Sequence, residues 1–448
     1  EALPAAVAPM LVQEQRNLAT ARELLALVDQ RAGQDDLAWS IEAAKIATRH
    51  QSDSLRLAWE NPVPLPGHAA PRDAVLALMG RVGMEPTAAQ LADVEALDQL
   101  PEPLRGALAR FVDAFLALDT AATLAYADVD LAALRALTDR TAEPGGNAPL
   151  PGALLASAGV DLPPVFATRN QFLDAVLAVR AALDAVGPGP VAAASVSLCP
   201  ALALDLDGVP STYTEDCFLV LDRGGNDVYQ NNAGGNGFNT LGGLCALVAA
   251  HPAAALVDLG GGADAYGDPV AARRCGANGG GVLGVGFLLD AGGSDTYTAW
   301  REGTNGGGSG GVGFLLDSSG DDTYNAGGFG TNGGGDLGTG LLLDASGDDA
   351  YNAYSFATNG GGNLGGVGFL LDADGKDKYQ AVFGGVNGGA AGNVILGVEI
   401  PVAVGLLLDA GGTDVYIDFD TPSGTGTDRT VVPKGVLGAQ VDSDDPPA

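Results

Sequence analysis

The chain has 448 residues, 46% of them hydrophobic, which is enough for two or more domains with buried cores, and its formal net charge is -33. A nucleic-acid partner needs a basic surface that 22 Lys and Arg against 55 Asp and Glu do not supply, so that class is excluded and cations become the expected partners. No apolar run reaches the roughly 18 to 20 residues that span a bilayer, so no transmembrane segment is expected.

Composition divides the chain. Residues 1–195 hold 24 acidic and 14 basic residues and 11 glycines, whereas residues 196–448 hold 31, 8 and 57. Backbones so different in glycine content follow different rules, and the expected organisation is an all-α helical domain over 1–190, a Gly/Asp-rich β domain over 196–420, and a C-terminal capping or docking segment with an acidic tail over 421–448. The opening "EALPAAVAPM", without Met or a charged-then-apolar leader, reads as a mature form whose signal peptide has been removed, or as a trimmed chain.

In the first part, "LVQEQRNLATARELLALVDQ" places Leu, Ala and Val at helical spacing, and "DDLAWSIEAAKIATRHQ" does so behind acidic residues that suit a helix start. Further helices are predicted near 72–84, 87–98, 102–119, 130–140 and 168–186, separated by proline clusters such as "ENPVPLPGHAAP". The pattern is that of a packed helical bundle without a catalytic constellation. His50 and His68 are expected as surface or loop histidines, because no second histidine or cysteine stands at ligand spacing.

All four cysteines, Cys199, Cys217, Cys245 and Cys275, lie near the start of the second part, with no C-x-x-C pair. Disulfides in an exported protein are expected, with four buried thiols as the alternative. Four cysteines allow three connectivities. Cys245 and Cys275 fall 13 and 15 residues before their next repeat aspartates, which favours pairing those two and leaves Cys199 with Cys217.

From Val220 a segment of the form "LLDSSGDDTY" recurs seven times. The aspartates after its apolar triplet are Asp222, Asp258, Asp290, Asp317, Asp344, Asp372 and Asp409, separated by 36, 32, 27, 27, 28 and 37 residues. Between them "NGGG" or "NGGA" returns at Asn278, Asn305, Asn332, Asn359 and Asn387. Each unit reads as a short strand "VGFLLD", a glycine turn, a second strand "DTYNA" and an extended stretch ending in an Asn-Gly-Gly turn. No unit can bury its own apolar side chains, so the units must stack, and the fold class is α plus all-β: a helical bundle followed by a parallel β-solenoid of about seven coils. Phe287, Phe314 and Phe369 are expected to align as one ladder, the repeat tyrosines as another and the asparagines as a third.

In six repeats a second aspartate follows five residues after the first, giving Asp227, Asp295, Asp322, Asp349, Asp377 and Asp414, and Asp264 follows Asp258 after six. Stacking brings like carboxylates within about 4.8 Å, where a bare pair repels by about 0.9 kcal/mol in water and about 3.5 kcal/mol at an effective dielectric of 20. Calcium between coils would remove that repulsion, since carboxylate and carbonyl oxygens are its preferred hard ligands. All fourteen aspartates are therefore candidate metal ligands, with Ca2+ as the expected cofactor. The competing reading makes them turn caps that bond backbone N–H groups.

The stretches "GGSDTY" at 292–297 and "GGTDVY" at 411–416 resemble the haemolysin-type, or repeats-in-toxin, calcium-binding family, whose nonapeptide G-G-x-G-x-D-x-U-x binds Ca2+ between turns of a parallel β-roll. The resemblance covers residues 220–416 and implies that the family's aspartate falls on Asp295 and Asp414 and on the matching Asp227, Asp264, Asp322, Asp349 and Asp377. Here the motif returns once in about 27 residues rather than every nine. The repeats also resemble those of uncharacterised exported proteins with "GGDDxY" motifs, which imply no activity.

"GGSGG" at 307–311 formally matches G-x-S-x-G, but it lies in a repeat turn with His251 as the sole histidine of the second part, so a nucleophile elbow is not expected. Arg274 and Arg301 each stand four residues before a ladder asparagine, with Trp300 alongside, and form a candidate carbohydrate patch in an acidic surround. The sequence thus leads to a secreted or cell-surface, calcium-stabilised structural or adhesive repeat protein that self-associates as a surface or filament subunit. The alternative is an extracellular β-helix protein that binds or cleaves polysaccharide, although catalysis is not the favoured reading. The helical domain is expected to cover the first end of the stack and "RTVV" near 430 the other.

Overall fold

A computed structural model describes residues 7–54, 57, 60–128, 160–187, 191, 195–238, 246–247, 252–267, 275–354, 358–363, 365–381, 387–391, 394–395, 398–399, 403–418, 421–426, 430–434 and 438–442. Among the described residues six α-helices come first: α1 Val7–Val28, α2 Asp36–Ser54, α3 Pro71–Arg81, α4 Ala88–Ala96, α5 Glu102–Ala125 and α6 Pro163–Val186. The start of α4 is fixed by a capping box in which Thr87 and Gln90 satisfy each other's backbone N–H groups. Proline in the first turn starts α3, α5 and α6, where its missing N–H costs nothing. The helix expected near 130–140 lies outside the described residues.

The second part is rich in parallel strands. β4 Leu219–Asp222, β8 Ala253–Asp258, β11 Val285–Asp290, β14 Val312–Asp317, β17 Thr339–Asp344, β20 Val367–Asp372 and β25 Val404–Asp409 pair in that order in one sheet. Register places each repeat aspartate opposite the next, as in Asp290 to Asp317 and Asp317 to Asp344. A second sheet pairs β5 Val228–Tyr229, β9 Ala265–Tyr266, β12 Thr296–Ala299, β15 Thr323–Ala326, β18 Ala350–Ala353, β21 Lys378–Ala381 and β26 Asp414–Asp418, tyrosine over tyrosine. A third joins the short strands near the Asn-Gly-Gly turns, β10 Gly281–Val282, β13 Gly308–Ser309, β16 Gly335–Asp336, β19 Gly362–Asn363 and β22 Ala390–Ala391, while β6 Gly237–Phe238 with β7 Ala246–Leu247 and β23 Val394–Ile395 with β24 Val398–Glu399 form small antiparallel pairs.

The stack extends past the seven repeats. β2 Leu202–Asp205 and β3 Thr212–Tyr213 form a degenerate repeat beneath β4 and β5, with Asp205 opposite Asp222 and Tyr213 opposite Tyr229. At the far side β29 Gly438–Asp442 lies parallel to β25 with Asp442 opposite Asp409. Antiparallel strands then close the ladders: β1 Ser195–Leu198 on β2, β27 Thr421–Gly426 on β26, and β28 Thr430–Lys434, which contains "TVV", on β29.

Strands of the first sheet are buried on both faces, which is why they read as continuous apolar runs. One face carries Leu256, Leu288, Leu315, Leu342, Leu370 and Leu407 against the tyrosine ladder. The other carries Val285, Phe287, Leu289, Phe314, Leu316 and Phe369 into a core shared with the helices. Phe287 and Phe314 align in register with ring centroids 6.1 Å apart, as expected of a ladder, and Leu341 stands between Phe314 and Phe369 in the same row, which faces the helices. Phe287 meets Phe172 of α6 edge-on at 5.2 Å and Phe369 meets His50 of α2 at 5.8 Å, because side chains at odd positions of the strand point away from the tyrosines.

The helical part lies along the flank of the large sheet, with α2 against β14, β17 and β20 and α5 against β8, and it reaches the first end of the stack through α3 against β2 and α4 against β1. Its buried Arg169 sets a guanidinium 4.0 Å from the centre of the Phe314 ring, and Gln51 donates to the Gly340 carbonyl at 2.8 Å. His50, expected at the surface, is buried in this interface with Thr20 Oγ1 3.0 Å from its Nδ1. Burial first, then the charge of Arg16, lowers its pKa to about 4, so the ring is neutral. His68 is half-buried and pairs with Asp113.

Candidate metal centre

Each "LLD" strand ends on an aspartate because the chain turns there, and the carboxylate closes the turn. Oδ1 of Asp222, Asp258, Asp290, Asp317, Asp344 and Asp409 accepts from the backbone N–H two residues on, at 2.8 to 3.4 Å. Their Oδ2 atoms face the tyrosine row. Tyr229 donates to Asp258 at 2.7 Å, Tyr297 to Asp317 at 2.6 Å, Tyr324 to Asp344 at 2.6 Å and Tyr351 to Asp372 at 2.8 Å, each from one repeat to the next. The rings stack nearly parallel, with centroids 4.6 to 4.9 Å apart from Tyr213 through Tyr416.

The second aspartate of each pair behaves differently. Its Oδ1 accepts the backbone N–H of its counterpart one repeat earlier, as in Asp264 N to Asp295 and Asp295 N to Asp322, both 2.6 Å, and Asp349 N to Asp377, 2.7 Å. Its Oδ2 has no hydrogen-bond donor at Asp227, Asp264, Asp295, Asp322, Asp349 or Asp377, and all six residues are at most 4% exposed. Carboxylate oxygens from both rows lie within 4.8 Å of one another in the groups Asp222/Asp227/Asp258, Asp258/Asp264/Asp290, Asp290/Asp295/Asp317, Asp317/Asp322/Asp344 and Asp349/Asp372/Asp377. The other oxygens of such a group are carboxyl oxygens too, so a proton on one of them or a cation is what satisfies the orphan.

Electrostatics follow from that crowding. Burial, and after it the charge of Asp317, pushes Asp295 up to about 8 and Asp322 up to about 11. Burial raises Asp222 to about 7, and together with the neighbouring carboxylates holds Asp258, Asp290 and Asp344 well above the usual range. Tyr297, Tyr324 and Tyr351 are likewise raised, by burial and then by the aspartates beside them. A site this dry and this anionic demands positive charge, either protons or a cation.

The donor set fits a hard divalent ion. Two calcium–oxygen bonds of about 2.3 to 2.6 Å span up to about 5 Å, which matches oxygens within 4.8 Å of one another. In the five groups named, every candidate ligand is a carboxylate, a hard oxygen donor of the kind that suits calcium better than zinc or copper. Two carboxylates per repeat also balance one divalent charge per interval between repeats.

The asparagines form a separate line. Asn278 donates to Asn305, Asn305 to Asn332, Asn332 to Asn359 and Asn359 to Asn387, at 2.8 to 3.0 Å, with the first four at φ between 44° and 51°. Cys199 and Cys217 are joined by a disulfide, while Cys245 lies outside the described residues and its pairing with Cys275 is not described. Arg274 also lies outside them, as does His251, so the proposed patch is described only at Trp300, 43% exposed, and at half-buried Arg301. Ser309 sits in a strand of the third sheet.

Two site residues escape the sequence pattern. Asp205 and Tyr213 sit in "LALDLDGVPSTY", where an apolar triplet, Asp, and Tyr eight residues later repeat the Asp258 to Tyr266 spacing with the single Gly208 in place of the glycine run. Among the described residues, no helix is long and apolar enough to cross a membrane. No protein-family model matches the chain, and no similar curated protein or solved structure was found.

Proposed function

We propose that this protein is a calcium-stabilised parallel β-solenoid that serves outside the cell as a structural or adhesive scaffold. The observation that carries the reading is the row of six buried Oδ2 atoms without a donor, each set among other carboxylate oxygens. A turn cap needs one oxygen and one N–H, and Oδ1 already meets that need. The second oxygen is left for something positively charged. Calcium, when bound, supplies a charge that holds adjacent repeats together. The chain's own aspartates fix its position, and the tyrosine hydroxyls orient the first carboxylate of each pair. The disulfide and the high demand for calcium suit an oxidising, calcium-rich exterior, hence a secreted or cell-surface location. Antiparallel strands at the ends interrupt the parallel register, which favours a discrete particle joined to others through its flanks over end-to-end polymerisation.

Thermal unfolding after exhaustive chelation, repeated with calcium and with magnesium at equal ionic strength, tests the proposal. Each filled site adds about 2.7 kcal/mol when free ion is 100-fold above Kd, so several intervals acting together raise the unfolding temperature steeply for calcium and weakly for magnesium. Identical curves in chelator and in calcium would leave the aspartates protonated turn caps and end the scaffold-by-metal reading.

A further inference from the structure

The outward face of the tyrosine sheet carries a feature that the metal rows do not use. Along β12, β15, β18 and β21 the burial alternates, so Tyr297, Tyr324, Tyr351 and Tyr379 point inward while the residues between them face out. Register aligns Thr298, Asn325, Asn352 and Gln380 in one outward column, in which Asn352 donates to Asn325 at 3.1 Å. One step further along each strand the ladder continues through Gly327 N to the Ala299 carbonyl and Tyr354 N to the Ala326 carbonyl, which puts Trp300, Gly327 and Tyr354 in the next column.

Gly327 makes that column a platform. A Cβ there would lie 2.6 Å from the Trp300 ring, so the missing side chain lets the indole lean across the middle repeat towards Tyr354. The two rings lie 5.5 Å apart at 40°, and they remain 43% and 38% exposed, the largest exposed aromatics among the described residues. An exposed indole and phenol side by side offer π faces to C–H groups, and the adjoining amides and hydroxyl of the Asn325 column offer donors and acceptors.

We propose that this face binds a linear polysaccharide of neutral pyranose units, laid along the stack with sugar rings on Trp300 and Tyr354 and hydroxyls on Thr298, Asn325, Asn352 and Gln380. Charge selects the occupant. Both columns, from Thr298 to Gln380 and from Trp300 to Tyr354, contain no ionisable side chain other than the Tyr354 phenol, so they give a polycation nothing to pair with, and the chain's net charge of -33 repels a polyanion. The columns run across successive repeats, so a chain polymer meets a polar side chain at each step and an aromatic ring on either side of Gly327. The inference extends beyond the metal-stabilised scaffold and does not depend on what fills the aspartate rows.

Titration calorimetry of the full chain in calcium with cellohexaose, xylohexaose, mannohexaose and chitohexaose, and with hexagalacturonate as an anionic comparator, tests it. At least one neutral hexasaccharide is expected to bind with Kd below about 1 mM. Trp300→Ala and Tyr354→Ala are each expected to weaken it about tenfold, the loss of one stacking partner, while Trp300→Tyr retains most of the affinity. Gly327→Val, which pushes the indole off the platform, weakens it with both aromatics still present. Unfolding temperatures of the variants establish that the fold is intact, which the exposure of both rings favours. The inference is overturned if none of the neutral hexasaccharides binds, if only hexagalacturonate binds, or if binding survives Trp300→Ala unchanged.

Discussion

The two aspartates of a repeat share a side chain but not an environment. Asp317 caps its own turn and takes the Tyr297 hydroxyl, whereas Asp322 caps the preceding repeat and keeps Oδ2 without a donor. Asp322→Asn isolates the second role, since the amide retains Oδ1 for the Asp295 N–H and turns NH2 towards the carboxylates of Asp317 and Asp344. In chelator the variant is expected to unfold at a higher temperature than the parent at pH 8, because Asp322, pushed up to about 11 by burial and then by Asp317, must take up a proton to fold at that pH and the amide need not. In saturating calcium the order is expected to reverse, as one site has lost a ligand. Differential scanning calorimetry in both buffers checks it, and a variant less stable than the parent in chelator would show that this proton uptake does not dominate the row.

Turns and strands at the next scale are held by glycine and asparagine. At Gly313 a Cβ would stand 2.1 Å from the Gly307 carbonyl oxygen, so the strand can pass the neighbouring turn only without a side chain. Asn332 sits at φ 45° with its amide between Asn305 and Asn359, both at 3.0 Å. Asn332→Ala loses both bonds and forces alanine into the left-handed region, for an expected loss of about 3 kcal/mol or more in denaturant unfolding. Asn332→Gly loses the same bonds without the backbone strain and is expected to fall less, by about 1 to 2 kcal/mol. Equal losses would assign the whole effect to the amide ladder and none to φ.

For the molecule as a whole, the buried carboxylates tie stability to pH. An acid whose pKa rises on folding binds more protons when folded, so stability falls as pH climbs from the ordinary value towards the folded one. Asp264 and Asp317 rise from 3.8 to about 6, Asp222 and Asp372 to about 7, and Asp295 to about 8, each mainly through burial. The chelated protein is therefore expected to be most stable near pH 4 and to lose stability through pH 8. On the proposed reading calcium competes with those protons, and the gap between unfolding temperatures in calcium and in chelator is expected to widen over the same window. A chelated protein equally stable at pH 5 and pH 8 would show that the rows ionise without cost.

Much of this was legible in residue order. A period near 27 with Asp, Tyr and Asn at fixed places in it dictates that like residues meet when units stack, because a parallel ladder in register pairs each position with its own copy. Glycine content located the change from helices to strands, and the two-aspartate spacing located the carboxylate rows. What the sequence could not decide is which face of a doubly buried strand meets which neighbour. "VGFLLD" is apolar at almost every position, so nothing in it distinguishes the leucines that meet tyrosine from the phenylalanines that meet helices. That choice, together with the burial of His50 and the flank position of the helical layer, depends on apolar surfaces distant in sequence being covered together. The unequal roles of Asp317 and Asp322 are likewise tertiary, since the donor that satisfies each oxygen arrives from an adjacent repeat.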